Sequence, residues 1–163
     1  MKTTSKRVLD YRKAKMIARE IMSSVLRFYS DYQAERDAER ISRRYGISYR
    51  KTLVFIRALN RLKCKFPDKG ESWLVRAAIR VAAGVDRVGR NKWRVPGLRE
   101  LGDAYAWYLV KYSGRFRTYI CDCYFHYGGV YRERSVCTHI AAVIVYREMN
   151  SLLHEFMESE DYG

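Results

Sequence analysis

The sequence predicts an α+β fold in which a helical N-terminal part is followed by a β-hairpin and a final helix. Three observations support this. Apolar residues recur at three- and four-residue spacing through most of the first 84 residues, which is the period of amphipathic helices. β-Branched and aromatic residues then dominate two short runs on either side of Ser113-Gly114, as in a hairpin. Helical spacing returns after residue 138.

Four helices are expected in the N-terminal part. The first extends from residue 5 to about residue 30, and the second runs from about residue 32 to Tyr45, before the helix terminator Gly46. Ser48 is placed to cap the third helix. An FPDKG turn separates that helix from the fourth, which ends near Gly84. We therefore interpret residues 1–84 as a basic helical domain.

The second half of the chain has a different pattern. Glycine and proline punctuate residues 85–103, which we interpret as a connecting region with one short strand from about Lys92 to Val95. The hairpin and the final helix make up residues 104–158. The last five residues, 159–163, are expected to form an acidic, frayed tail.

Positive charge is concentrated in the N-terminal part. Residues 1–100 hold 26 Lys and Arg against 10 Asp and Glu, a net charge of +16, whereas residues 101–163 hold 6 against 8, a net charge of −2. Such an excess suits a polyanionic partner, because neutralising phosphates and releasing their counterions supplies most non-specific nucleic-acid affinity. Nucleic acid, with DNA favoured, is the expected partner. The alternative is a charged surface that only confers solubility.

Membrane insertion is not expected from this sequence. No apolar stretch approaches the roughly 18 residues of a membrane span, and the N-terminus lacks the apolar middle of a secretory signal. We therefore expect an intracellular protein, located in the cytoplasm, the nucleoid or the nucleus. In a reducing compartment its four cysteines are better interpreted as metal ligands or buried thiols than as disulfides.

A group of zinc-type ligands lies in the C-terminal part. Cys121-x-Cys123 is followed, after thirteen residues, by Cys137-x-His139. Side chains two apart on a strand point to the same side, so the first pair can share an ion. Residues two apart within a helix cannot converge, which places Cys137 before the final helix and His139 in its first turn. His126 is an alternative fourth ligand, and buried thiols beside an ordinary histidine are the alternative to a metal site.

The same segment resembles the SWIM zinc finger. CDC and CTH match that family's CxC and CxH pairs, the strands WYLV and FRTYI precede the first pair, and the apolar helix IAAVIVY follows the second. The resemblance covers about 45 residues, from Ala104 to about Met149. It implies Zn²⁺ held by Cys121, Cys123, Cys137 and His139, without His126. It also implies a module that binds nucleic acid or a protein, such as a RecA-family recombinase paralogue.

Residues 35–62 resemble a helix-turn-helix. In AERISRRYGISYRKTLVFIRAL, Gly46 would form the tight turn and the following helix would present its exposed residues to DNA. The alternative is two ordinary helices of a bundle with a solvated basic face. The expected nucleic-acid contacts are Arg43, Arg44, Tyr49, Arg50, Lys51, Arg57 and Arg61.

These patterns predict a zinc-containing nucleic-acid-binding protein with a regulatory, recombination or transposition accessory role. The alternative is a protein–protein adaptor that docks through the finger. An enzyme is not expected, because four protein ligands leave no metal position for an activated water and the sequence lacks a glycine-rich phosphate loop. The three tryptophans, including Trp107, are expected in the core, and Cys64 as a partly buried thiol.

Overall fold

A computed structural model describes residues 10–27, 30–125 and 136–161. Within these ranges the chain forms five α-helices and a four-stranded antiparallel sheet, which confirms the α+β class. The helices are α1 (Tyr11–Leu26), α2 (Asp31–Tyr45), α3 (Tyr49–Lys65), α4 (Glu71–Gly84) and α5 (Thr138–Glu160). The strands are β1 (Asp86–Gly89), β2 (Lys92–Pro96), β3 (Trp107–Ser113) and β4 (Thr118–Cys121).

Local sequence signals set the ends of α2 and α3. The hydroxyl of Ser30 accepts a hydrogen bond from the backbone N–H of Gln33, and that of Ser48 accepts one from Lys51. Gly46 ends α2 in the left-handed conformation, with φ 63°, as predicted. The first helix is shorter than predicted: α1 ends at Leu26, while residues 1–9 lie outside the described part of the chain.

The sheet is larger than the predicted hairpin. The connecting region, expected to hold one strand, contributes both β1 and β2, and the sheet order is β1-β2-β3-β4. In β2, Trp93 and Val95 alternate with exposed residues and are buried toward the helices. β1 was not predicted from the sequence, because it is only four residues long and its positions do not alternate between buried and exposed.

Buried apolar residues from the helices and from the inner side of the sheet form one continuous cluster. α4 packs against α1 and against α5, and α5 also contacts α3 and three strands of the sheet. The first part of α5 is almost entirely buried, because Ile140, Ala141, Ala142, Val143 and Val145 are apolar around the whole helix. Each fully buried branched aliphatic side chain contributes roughly 1.5 to 3 kcal/mol. α5 therefore joins the helices to the sheet.

The C-terminal end of α5 extends beyond the predicted boundary. It continues through Ser159 to Glu160, residues expected in a frayed tail, and the Glu160 carboxylate accepts a hydrogen bond from Arg50 on α3. This contact orders two residues of the acidic segment. No helix in the described part of the chain combines the length and the apolar character that crossing a membrane requires.

Gly97 fixes the loop between β2 and β3. Its N–H donates to the carbonyl of Ala106 at 2.8 Å, and a Cβ at this position would lie 1.7 Å from the carbonyl oxygen of Tyr105. Only glycine allows the two backbone segments to approach so closely. This close approach closes the loop that carries Asp103, whose carboxylate lies beside the candidate metal centre.

Candidate metal centre

The structure brings Cys121, Cys123, Cys137 and His139 together. One ligand-type atom from each lies within 4.8 Å of the others; Cys121, Cys123 and His139 are buried, and Cys137 is half-buried. Cys121 is the last residue of β4, and Cys137 lies at the N-cap of α5 with His139 in the first turn, as predicted. Cys123 was expected on the same strand as Cys121. It lies instead in a short 3-10 helix, residues 122–125, that begins directly after β4. These residues could hold a metal ion.

The N-terminus of α5 favours a thiolate at Cys137. Its sulfur accepts a hydrogen bond from the backbone N–H of Ile140 at 3.4 Å, and its carbonyl accepts one from Ala141. Unpaired N–H groups and the helix dipole stabilise negative charge at this position. Just upstream, the indole N–H of Trp73 donates to the carbonyl of Val136 at 3.0 Å. This bond ties the segment that leads into the helix to α4.

The clustered thiols shift the pKa values of Cys121 and Cys137 in opposite directions. Contacts with Cys121 and Cys123, and then with His139, lower the pKa of Cys137 against the opposing effect of burial. Contacts with Cys123 and Cys137, together with burial, raise the pKa of Cys121. One thiolate thus forms readily and disfavours another beside it. A divalent cation among the sulfurs would remove this repulsion and allow all three to ionise.

The imidazole of His139 is buried and available as a ligand. Neither of its ring nitrogens makes a well-aligned hydrogen bond. Nε2 nevertheless lies 3.2 Å from Oδ1 of Asp103, and the ring stacks on Tyr108 with centroids 4.1 Å apart. The ring is thus confined between a carboxylate and an aromatic face, so one nitrogen can bind a metal while the other faces the carboxylate.

Arg80 and Asp103 form a buried ion pair beside this histidine. Their side chains are 1% and 7% exposed, and both guanidinium NH₂ groups bond the carboxylate, one of them at 3.1 Å. Nε of Arg80 donates to the hydroxyl of Thr138 at 2.9 Å, and the Leu98 N–H donates to Asp103 at 2.8 Å. The pair therefore connects α4, the β2–β3 loop and the start of α5.

The protonation of Asp103 and His139 follows from these contacts. Burial would raise the pKa of Asp103, but the adjacent imidazole of His139 and the hydrogen bonds from Arg80 and the Leu98 N–H hold it well below its usual range. Burial would lower the pKa of His139, but contacts with Asp103, Cys123 and Cys137 raise it to about 10. Asp103 is accordingly a fixed negative charge beside the histidine.

Sequence reasoning missed Arg80 and Asp103. They are 23 positions apart, in a helix and in a loop, and no short motif connects them. One signal is visible: Arg80 lies between Ile79 and Val81 in the second half of α4, residues 77–84, which is otherwise apolar. An arginine on a buried helix face requires a partner, because an unpaired buried charge is costly.

Four of the predicted nucleic-acid contacts lie around the α2–α3 turn. Arg43 pairs with Glu39 and Arg44 with Glu20, each at 2.7 Å. Tyr49 and Lys51 are exposed at the start of α3. Partial burial and the carboxylate of Glu35 raise the pKa of Tyr49. These residues occupy the expected positions, and their role in binding stays a prediction.

The other three arginines contact α5. Arg50 pairs with Glu160, Arg61 pairs with Glu148, and the guanidinium of Arg57 lies 5.6 Å from the ring of Phe156. Arg57 is the most enclosed of the three. Its side chain is 23% exposed, and its Nε is buried without a hydrogen bond. α5 thus lies along the part of α3 that was expected to reach DNA.

The expectations for the tryptophans and for Cys64 are only partly confirmed. Trp93 is buried, as expected, but Trp107 is 37% exposed because it lies at the outer side of β3, away from the helices. Cys64 is exposed rather than partly buried. The alternative ligand His126 lies outside the described residues, as do several tyrosines and arginines of the same segment.

The chain matches no protein-family model, and no curated protein or solved structure matches it significantly. The assignment to SWIM fingers therefore stays a prediction. It is based on the order of hairpin and helix and on the spacing of the ligand residues, and the clustering of the Cys and His side chains is compatible with it.

Proposed function

We propose that the Cys121–Cys123–Cys137–His139 cluster binds one structural Zn²⁺ and that the protein binds nucleic acid, with DNA favoured. The single observation that carries the zinc proposal is the convergence of four ligand atoms within 4.8 Å. In a tetrahedral site with Zn–S bonds of about 2.3 Å, neighbouring ligand atoms lie about 3.8 Å apart. A small contraction of this cluster would reach that geometry.

The chemistry of the donors favours zinc among the common metals. Three thiolates and one imidazole are soft or borderline ligands, which Ca²⁺ and Mg²⁺ do not prefer. Bound zinc would supply the positive charge that lets the three thiols ionise together. Because the protein fills all four positions, no position remains for an activated water, and we assign the metal a structural role.

The zinc would fasten α5 to the sheet. Cys121 and Cys123 follow β4, whereas Cys137 and His139 begin α5. Asp103 would act from outside the ligand set, by orienting the His139 ring and by accepting its second N–H. Arg80 in turn holds Asp103.

The nucleic-acid proposal is supported by charge. The net charge of +16 in the first 100 residues already counts the carboxylates of Glu39 and Glu20, which pair with Arg43 and Arg44, so it is an excess of basic groups that these acidic neighbours do not neutralise. Exposed basic residues such as Arg19, Arg36 and Lys51 make no ion pair within the described ranges. The alternative, a protein–protein adaptor, would not require this charge.

Two measurements test the proposal. Elemental analysis of the purified protein should give one zinc per chain, and a strong chelator should lower the melting temperature, since structural zinc couples roughly 10 kcal/mol or more to folding. Binding to a labelled oligonucleotide should weaken steeply between about 50 and 200 mM salt. Unchanged melting after zinc removal would refute the structural zinc. Absence of oligonucleotide binding at low salt would refute the nucleic-acid function.

A further inference from the structure

The outer face of the sheet is open to solvent. Side chains on this face follow from the strand register: Lys92 pairs with Lys111, which pairs with Ile120, and Arg94 pairs with Leu109. The helices cover the opposite face, where Trp93, Val95, Tyr108 and Val110 are buried. We name the exposed set Lys92, Arg94, Trp107, Lys111 and Ile120 the outer sheet face.

This face carries an unneutralised pair of like charges. Lys92 and Lys111 lie directly opposite each other on neighbouring strands, and neither makes an ion pair in the described part of the chain. Like charges at such positions destabilise a sheet. Asp86 is the one carboxylate on the same face of the described strands, and it pairs with Arg94 at 3.5 Å rather than with either lysine. An anion bridging the two lysines would relieve the repulsion.

The same face carries an exposed aromatic platform. Trp107 is 37% exposed, and the guanidinium of Arg94 lies 4.1 Å from its ring centroid. Ile120, 44% exposed, adds apolar surface on the other side of the lysine pair. Indole rings and guanidinium planes are the groups on which unpaired bases stack, because every base has a π-face.

We infer that the outer sheet face binds single-stranded nucleic acid, with phosphates bridging Lys92 and Lys111 and a base stacked on the Trp107–Arg94 pair. Four strands make a surface about 15 Å wide, which fits two or three nucleotides. A duplex hides its base faces and would gain only the phosphate contacts. The inference rests on the proposed nucleic-acid-binding function and identifies a surface for it other than the α2–α3 turn.

The test compares variants in fluorescence anisotropy, with an oligo(dT) of about 15 nucleotides and with a duplex of the same length. Lys92→Thr/Lys111→Thr should lower the slope of log affinity against log salt by about 1.4, because two phosphate contacts are lost. Trp107→Leu should weaken oligo(dT) binding at least about 5-fold and duplex binding much less. Arg12→Gln/Lys13→Gln removes two exposed charges from α1 and serves as the matched control.

The outcomes separate this inference from the broader proposal. The inference is supported if the sheet variants lose oligo(dT) binding while the α1 control keeps it, provided that circular dichroism shows a native fold in each variant. Equal loss in the α1 control would overturn it, since binding would then follow net charge alone. Loss only in Arg43→Gln/Lys51→Gln would place the surface at the α2–α3 turn and overturn the inference while preserving nucleic-acid binding. If the unaltered protein binds poly-glutamate but no oligonucleotide, the proposed nucleic-acid function and this inference are both wrong, and the partner is an acidic protein. If the double lysine variant misfolds, the effect of Trp107→Leu on oligo(dT) binding, compared with its effect on duplex binding, still tests whether the outer sheet face is the binding surface.

Discussion

Replacing Asp103 by asparagine should lower both the stability of the fold and the affinity for zinc. The change keeps the size of the side chain but removes its charge, which leaves the guanidinium of Arg80, 1% exposed, without a counter-ion. Breaking a buried ion pair in this way costs about 3 to 5 kcal/mol. We therefore expect the free energy of unfolding in urea to fall by about 3 kcal/mol. This is a large loss for a domain whose total stability is about 5 to 15 kcal/mol.

The same substitution should weaken zinc binding. Asp103 lies 3.2 Å from Nε2 of His139, and removing such a partner of a metal-bound histidine lowers affinity about 10- to 100-fold. Competition with a chromogenic chelator measures this directly. Arg80→Met/Asp103→Leu provides a second comparison, because an apolar replacement of the whole pair should recover stability without recovering zinc affinity.

Asp86→Asn is the matched control for Asp103→Asn. It removes the same charge from another Asp–Arg pair, but Asp86 pairs with Arg94 at 3.5 Å in an exposed setting. An exposed pair contributes less than about 1 kcal/mol. If Asp103→Asn lowers stability no more than Asp86→Asn does, and zinc affinity is unchanged, the reasoning about the buried pair is refuted.

Three further variants test the site and the fold. Cys123→Ser should abolish stoichiometric zinc binding and lower the melting temperature. Cys64→Ser alters an exposed cysteine outside the cluster and should leave the zinc content at one per chain. Equal zinc content in the two variants would contradict the assignment of the ligands. Gly97→Ala should lower the free energy of unfolding by about 3 kcal/mol, because the new Cβ would overlap a backbone carbonyl. Gly114→Ala is the control: its Cβ would project into open space, so the free energy of unfolding should change little. Urea titrations compare the two variants. Phe156→Ala should cost about 1 to 2 kcal/mol in the same assay, since the ring is half-buried, and no loss would show that the end of α5 is only loosely held.

Local patterns were sufficient for the features that short segments determine. The cap at Ser48 and the left-handed Gly46 follow from the preferences of those residue types. The position of Cys137 before α5 and of His139 within it follows from helix geometry alone. The spacing of the ligands was therefore enough to predict that they converge.

Features that depend on distant parts of the chain were not predictable in this way. The pairing of Arg80 with Asp103 depends on how α4 meets the β2–β3 loop, and no local pattern specifies that contact. The partners of Arg50 and Arg61 are 110 and 87 positions away on α5, so the sequence showed exposed basic residues where the fold makes ion pairs. Trp107 is exposed because its register places it opposite Pro96 on the outer face.

α5 links two properties that would otherwise be independent. At 23 residues it is about 34 Å long, with its first turn in the candidate metal centre and its last turns against α3. A rigid helix transmits a displacement at one end to the other. If a metal ion bound at the cluster shifted the first turn of α5, the same displacement would move Glu148 and Glu160, and with them the counter-charges of Arg61 and Arg50.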